Sequence, residues 1–262
     1  MNKIFLFIFL LLPFRINSST EPDTKIFVIG TIHYSTNNYN SDTLFNILNI
    51  IEPDVILVEC DTSYMTEDFQ LKEDIQYSFL ETRAITKYQR DKKVELRPYD
   101  ITGRDLFLND EQRKNNEYNF FRRVEALYRS ENLNNDAIEI LNRILSMMNI
   151  SQEMSNSAAS YINNYEGSKK IDTINYYSYE GLDRLIKVTP ELSDFNNYWE
   201  KEQKYWLERN MIMAENILKY KEEFAGKKIV VLCGFAHKNI LKLTLEKKAL
   251  ANKFDVVEYW EF

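Results

Sequence analysis

The chain has 262 residues, 44% hydrophobic and 28% charged, enough apolar material for a full core and unlike a collagenous or disordered chain. Asp and Glu number 40 against 33 Lys and Arg, a formal net charge of -7, which argues against a phosphate backbone as main partner, so no nucleic-acid partner is expected. Six Gly and five Pro beside 17 Tyr and 16 Phe disfavour turn-rich all-β folds, and two cysteines, Cys60 and Cys233, are too few for a disulfide-stapled mini-domain or a Cys-rich zinc module. Each cysteine sits in an apolar strand run, so both read as buried thiols.

The chain opens with Lys3, an uncharged apolar run over 4–14, then Arg15 and the polar stretch 17–20. The run is too short to span about 30 Å of hydrocarbon. It reads as a signal peptide over 1–19, cleaved near Ser18 or Ser19, so the mature protein is expected to be secreted or periplasmic, without stable membrane insertion. Next comes a continuous apolar run, 25–30, ending in Gly30; a second follows at 54–59. Both read as strands buried on two faces. Between them Leu44, Ile47, Leu48 and Ile51 recur at helical spacing until Pro53 stops the helix. A charged helical stretch over 68–92 leads to a third strand at 94–100, repeating the strand-helix unit with parallel strands.

From about 102 to 225 the pattern is helical and polar, with breaks near 133–135 and 164–167, as in a helical insertion or cap. The strand pattern returns at 227–234, a helix is expected over 237–250, and a last strand over 254–259. The fold class is therefore α/β: one domain over 20–262 with a central, mostly parallel sheet flanked by helices and a large helical insertion between the third and fourth strands.

The two histidines of the chain each lie three residues after a strand-end glycine, as Gly30-Thr31-Ile32-His33 and Gly234-Phe235-Ala236-His237. In an open α/β sheet ligands bind outside the carboxyl ends of the strands, so both imidazoles are expected at one edge. Glu59 and Asp61 follow the second strand there, and Asp100 follows the third. Two neutral imidazoles and one carboxylate, His33, His237 and Glu59, make a ligand set for a catalytic divalent ion with open positions. Arg209 falls inside an apolar helical stripe formed by Tyr205, Ile212, Met213 and Tyr220, so its guanidinium is expected to turn inward to a carboxylate or an anionic substrate group, with Glu202 as a candidate partner. Glu208 and Asn210 flank that stripe. The Tyr- and Trp-rich patches at 176–179 and 198–199 fit core packing, and less readily a cleft wall.

A Gly-x-x-His after the first strand, an acidic residue after the second, Glu208-Arg209-Asn210 on a late helix and a second Gly-x-x-His near the end together resemble the superfamily of the TraB, PrgY and GumN proteins, the Tiki proteases, the ChaN haem-binding lipoproteins and the erythromycin esterases. The resemblance implies a mixed α/β core with a helical insertion. Its Tiki-like branch implies a metal-dependent peptidase with the metal (zinc, manganese or cobalt) on His33, Glu59 and His237; its esterase branch implies a histidine general base and no required metal. The expected activity is a secreted hydrolase of a peptide or ester bond, acting on a peptide or small-molecule substrate. His33, Glu59, Arg209 and His237 would be catalytic, with Arg209 stabilising the oxyanion, and Asp61, Asp100 and Glu208 secondary. The competing expectation is a non-catalytic protein that binds haem, a peptide or another anionic ligand in the same cleft.

Overall fold

The computed structural model describes residues 24–261, so the expected signal peptide lies outside the described residues. Strands β1 (Thr24–Thr31), β2 (Val55–Val58), β3 (Glu95–Pro98), β4 (Lys228–Gly234) and β5 (Phe254–Val256) form a sheet in the order β3-β2-β4-β1-β5. Every pairing is parallel. The fold is α/β, as the alternation of apolar runs and helical periodicity predicts.

β2 and the middles of β1 and β4 are continuously apolar because both faces of the sheet are covered there, whereas the edge strands β3 and β5 carry Glu95, Arg97 and Asp255. Phe27, Ile29, Ile56, Val58, Val230 and Leu232 belong to one core with Leu44 and Leu48 of α1 (Ser41–Ile51) and Ala84, Ile85 and Tyr88 of α2 (Leu80–Asp91). The alternate residues Ile26, Val28, Leu57, Val231 and Cys233 join a second core with α9 (Asn196–Glu223) and α10 (Phe235–Asn252). That is the period of two of a pleated strand. Local chemistry starts and ends α1: the Asn40 side chain accepts from the amides of Asp42 and Thr43, and Glu52, at φ 48°, closes the helix before Pro53.

β1 and β2 are parallel, as expected, with β4 between them and paired with both, Lys25 opposite Lys228 and Val55 opposite Ile229. Three sequence expectations need correction. The helix expected over 68–92 begins only at Leu80, since Phe69 takes a left-handed φ of 58° and the preceding segment turns back in a Met65–Leu71 bridge. β3 stops at Pro98, and Tyr99 instead sends its hydroxyl to the Leu232 carbonyl at 2.9 Å. β5 ends at Val256, followed by a single 3-10 turn over Tyr259–Glu261.

Between β3 and β4 the chain is helical: α3 (Arg104–Leu108), α4 (Glu111–Arg129), α5 (Asn135–Met154), α6 (Ala159–Asn163), α7 (Tyr165–Tyr176), α8 (Leu182–Val188) and α9. Asp110, Asn134 and Asn164 cap three of these helices through amides at 2.6, 2.9 and 2.8 Å. The insertion has its own core, with Phe120, Leu141, Leu185 and Trp199. At 28 residues, α9 is about 42 Å long. Its Tyr198 and Trp199 pack in the insertion, its Met213, Ala214 and Ile217 on the sheet, and Arg209 falls at the join. Among the described residues no helix is long and apolar enough to cross a membrane.

Candidate active site

Since all strands run the same way, their carboxyl ends open on one edge, and the loops there carry the polar side chains. His33 follows β1, Glu59 is the first residue after β2, Asp100 lies just past β3, and His237 is in the first turn of α10.

Arg209 reaches this edge from α9 and binds three of the four elements. Its Nε and Nη2 donate to the two oxygens of Asp100, each at 2.8 Å, in the two-pronged geometry that favours arginine over lysine. Nη2 also donates to Glu59 Oε1 at 2.5 Å, and Nη1 lies 3.0 Å from His237 Nε2. Guanidinium cannot accept, so Nε2 must, and the His237 proton sits on Nδ1, donated to Asn210 Oδ1 at 2.7 Å. Burial, reinforced by the charges of Arg209 and His33, pushes His237 down to about 3 against the opposing pull of Glu59, so it stays neutral. Trp206 stacks on it, ring centroids 4.4 Å apart. Burial would raise Glu59, but the charges around it and the Gly234 amide, 2.5 Å from Oε2, outweigh it and hold the carboxyl well below its usual range. With His237 neutral, Arg209, His33 and that amide are the groups that keep Glu59 ionised.

His33 is placed differently. Its backbone takes the left-handed φ of 61°, its carbonyl accepts from the Leu80 amide at 2.9 Å, and its Nδ1 lies 2.8 Å from Glu81 Oε1. Thus the start of α2 clasps both backbone and ring. Burial alone would lower this imidazole, but the hydrogen bond and charge of Glu81, with Glu59 behind, raise it above the usual histidine value. Thr31 also hydrogen-bonds Glu81 Oε1. Among the described residues Nε2 of His33 has no hydrogen-bond partner. It stands over Gly234, where a Cβ would come within 2.6 Å of it, so β4 must end in glycine. Beside the ring opens a cavity of about 160 Å³ floored by Glu59, Glu81, Arg104 and Cys60 and walled by apolar and aromatic side chains.

No family model, no curated protein and no solved structure matches this chain.

The residues flagged in the sequence separate into two groups. His33 and Glu59 line the cavity; Arg209, Asp100 and His237 do not, and form the buried network beneath it. A divalent cation does not fit His33, Glu59 and His237, because Nε2 of His237 and both oxygens of Glu59 already accept hydrogen bonds, two of them from a guanidinium. Among the described residues no group of three His, Cys, Asp or Glu is arranged to hold a metal ion. Arg209, only 8% exposed and committed to these acceptors, is a positioning residue and does not reach a substrate oxyanion. Glu202 is not its partner; it pairs with Arg113 at 2.8 Å. Glu208 points outward to Lys204, and Asp61 caps the turn after β2 through the Ser63 amide at 2.7 Å. Cys60 and Cys233 are buried free thiols, and burial beside Asp100, Asp61 and Glu59 pushes Cys60 up to about 12, which removes it as a thiolate nucleophile.

Two cavity residues escaped the sequence reading. Glu81 shares a helical stripe with Ala84, Ile85 and Tyr88, the same pattern of a charge inside an apolar face that marks Arg209. Arg104 follows Gly103 in a short polar segment and carries no such signal.

Proposed function

We propose that this chain is a hydrolase of ester or peptide bonds that uses His33 as general base, oriented by Glu81, with no required metal. The observation that carries the reading is the His33 ring itself: it lines the cavity, Nδ1 is held by a buried carboxylate, and Nε2 has no hydrogen-bond partner among the described residues. A left-handed backbone at a non-glycine residue, pinned by α2, is the kind of strain that concentrates at functional sites.

In this reading Nε2 takes a proton from water as the water oxygen adds to the carbonyl carbon. The imidazolium, stabilised by Glu81, then returns the proton to the leaving oxygen or nitrogen as the acyl bond breaks, giving an acid and an alcohol or amine. Glu59, ionised and immobilised by Arg209, keeps a negative charge near His33 and fixes the end of β2 against β4. The resemblance to the TraB, Tiki, ChaN and erythromycin-esterase superfamily supports the same class of chemistry, on its metal-independent side. With the apolar start of the chain read as a signal peptide, the enzyme works in a periplasm or outside the cell. Haem fits poorly as an alternative ligand, since about 160 Å³ is close to the size of a cavity that holds benzene.

The test is hydrolysis of a panel of aryl and alkyl esters and short peptides by the intact protein, against His33→Gln. The expected loss of kcat/KM is about 10²- to 10⁴-fold, with activity rising with pH as His33 deprotonates. Equal rates in variant and wild type would end the proposal.

A further inference from the structure

Arg104 is a charge in the cavity wall that the hydrolytic step leaves unused. Its side chain is 32% exposed, and its closest acidic group is Asp100 at 3.8 Å, whose oxygens already accept shorter bonds from Arg209. Its Nε is buried and has no hydrogen-bond partner among the described residues. Three other acids at this edge are committed elsewhere, while Glu81 in the same cavity keeps Oε2 without a partner among the described residues. Glu59 is taken by Arg209 and Gly234, Asp61 accepts from the amides of Ser63 and Gly103, and Asp105 accepts from the Tyr64 hydroxyl. A partly exposed guanidinium in the cavity lining, with no acidic group in hydrogen-bond range among the described residues, matches a carboxylate, which can take parallel N–H groups in pairs. Beside it the cavity is apolar, walled by Tyr34, Leu71, Ile75, Phe79 and Leu232, and of a volume suited to one six-membered ring or a branched alkyl group.

We propose that Arg104 and this apolar pocket form a subsite for a carboxylate joined to a small aromatic or branched apolar group, so that the substrate of the hydrolase is a carboxylate-bearing molecule of that kind. Its description as a substrate rests on the hydrolytic reading; the subsite itself does not. Arg104 is then a specificity residue that separates acids from their neutral analogues.

The experiment is calorimetric titration of the intact protein with 3-phenylpropanoate, 3-phenylpropanamide and acetate. The expected result is that 3-phenylpropanoate binds at least tenfold more tightly than either of the others. Arg104→Gln removes the preference for acid over amide, and Arg104→Lys keeps part of it. Acid and amide binding equally, or neither binding, overturns the subsite, and because that comparison uses wild-type protein it stands even where Arg104→Gln fails to fold. A loss in Arg104→Gln of equal size for neutral and carboxylated esters, without any difference in acid and amide binding, would assign Arg104 to the reacting oxygen and also overturn the proposal. Arginine-dependent binding of the acid without cleavage of any ester or peptide leaves the subsite standing and sinks the hydrolase.

Discussion

Arg209→Met removes the one cation shared by two buried carboxylates. The side chains of Glu59 and Asp100 are 6% and 0% exposed, so neither can recover its charge compensation from water. Breaking a buried ion pair by deleting one partner costs about 3–5 kcal/mol. The titration of Glu59 points the same way, since a carboxyl held below its usual value adds stability at neutral pH. Arg209 carries only part of that, but its loss also leaves Asp100 with Arg104, 3.8 Å away, as its nearest cation, and we expect a total of about 4 kcal/mol at pH 7. The sign with pH follows from the depressed value: the Glu59 contribution is complete above 4.5 and is lost as the pH falls towards 2. The gap between wild type and variant therefore narrows through that window. Urea unfolding followed by circular dichroism, at pH 7 and in steps down to pH 3, reads it as a shift in midpoint at constant slope. Replacing all three groups, as Arg209→Met with Glu59→Gln and Asp100→Asn, should restore at least half of the loss, because the stranded charges go with their partner. A loss below about 1 kcal/mol in the single variant, or a gap that does not change with pH, would refute the role given to Arg209.

Other expectations follow from the same geometry. Glu81→Gln removes the group that raises His33, so the pH at which kcat/KM reaches half its plateau should move down while the plateau itself falls; an unmoved midpoint would detach Glu81 from His33. Gly234→Ala puts a methyl 2.6 Å from His33 Nε2, and should cost about 1–3 kcal/mol of stability and most of the activity, measured by thermal melting and ester hydrolysis. Dialysis against EDTA should leave melting temperature and activity unchanged, since the donors at the site are already committed; loss of activity restored by zinc or manganese would contradict that.

The three inner strands were legible as continuous apolar runs, and the edge that gathers His33, Glu59, Asp100 and His237 followed from parallel strands alone. Strand order was not legible: the placement of β4 between β1 and β2 depends on pairings such as Lys25 with Lys228, which leave no periodicity in the sequence. Nor could the two Gly-x-x-His stretches be told apart. Their difference lies in what packs on them, since His33 leaves β1 in a left-handed turn while His237 enters a helix under Trp206 and receives the guanidinium of a residue from another element. Arg209 was recognisable as a charge on an apolar face, but its acceptors were not, because Asp100 and Glu59 come from two separate loops.

The late arrival of the central strand bears on how the protein is made. When the first three strands have left the ribosome, the gap that β4 will fill is still open, and the whole helical segment must be synthesised before it closes. At ordinary translation rates of about 5–20 residues per second, that wait is on the order of ten seconds. For that interval two apolar ribbons lack their shared neighbour, and their unpaired backbone groups are open to any other extended chain. Overproduction at high temperature, where encounters are frequent, is therefore where this molecule is most exposed to aggregation.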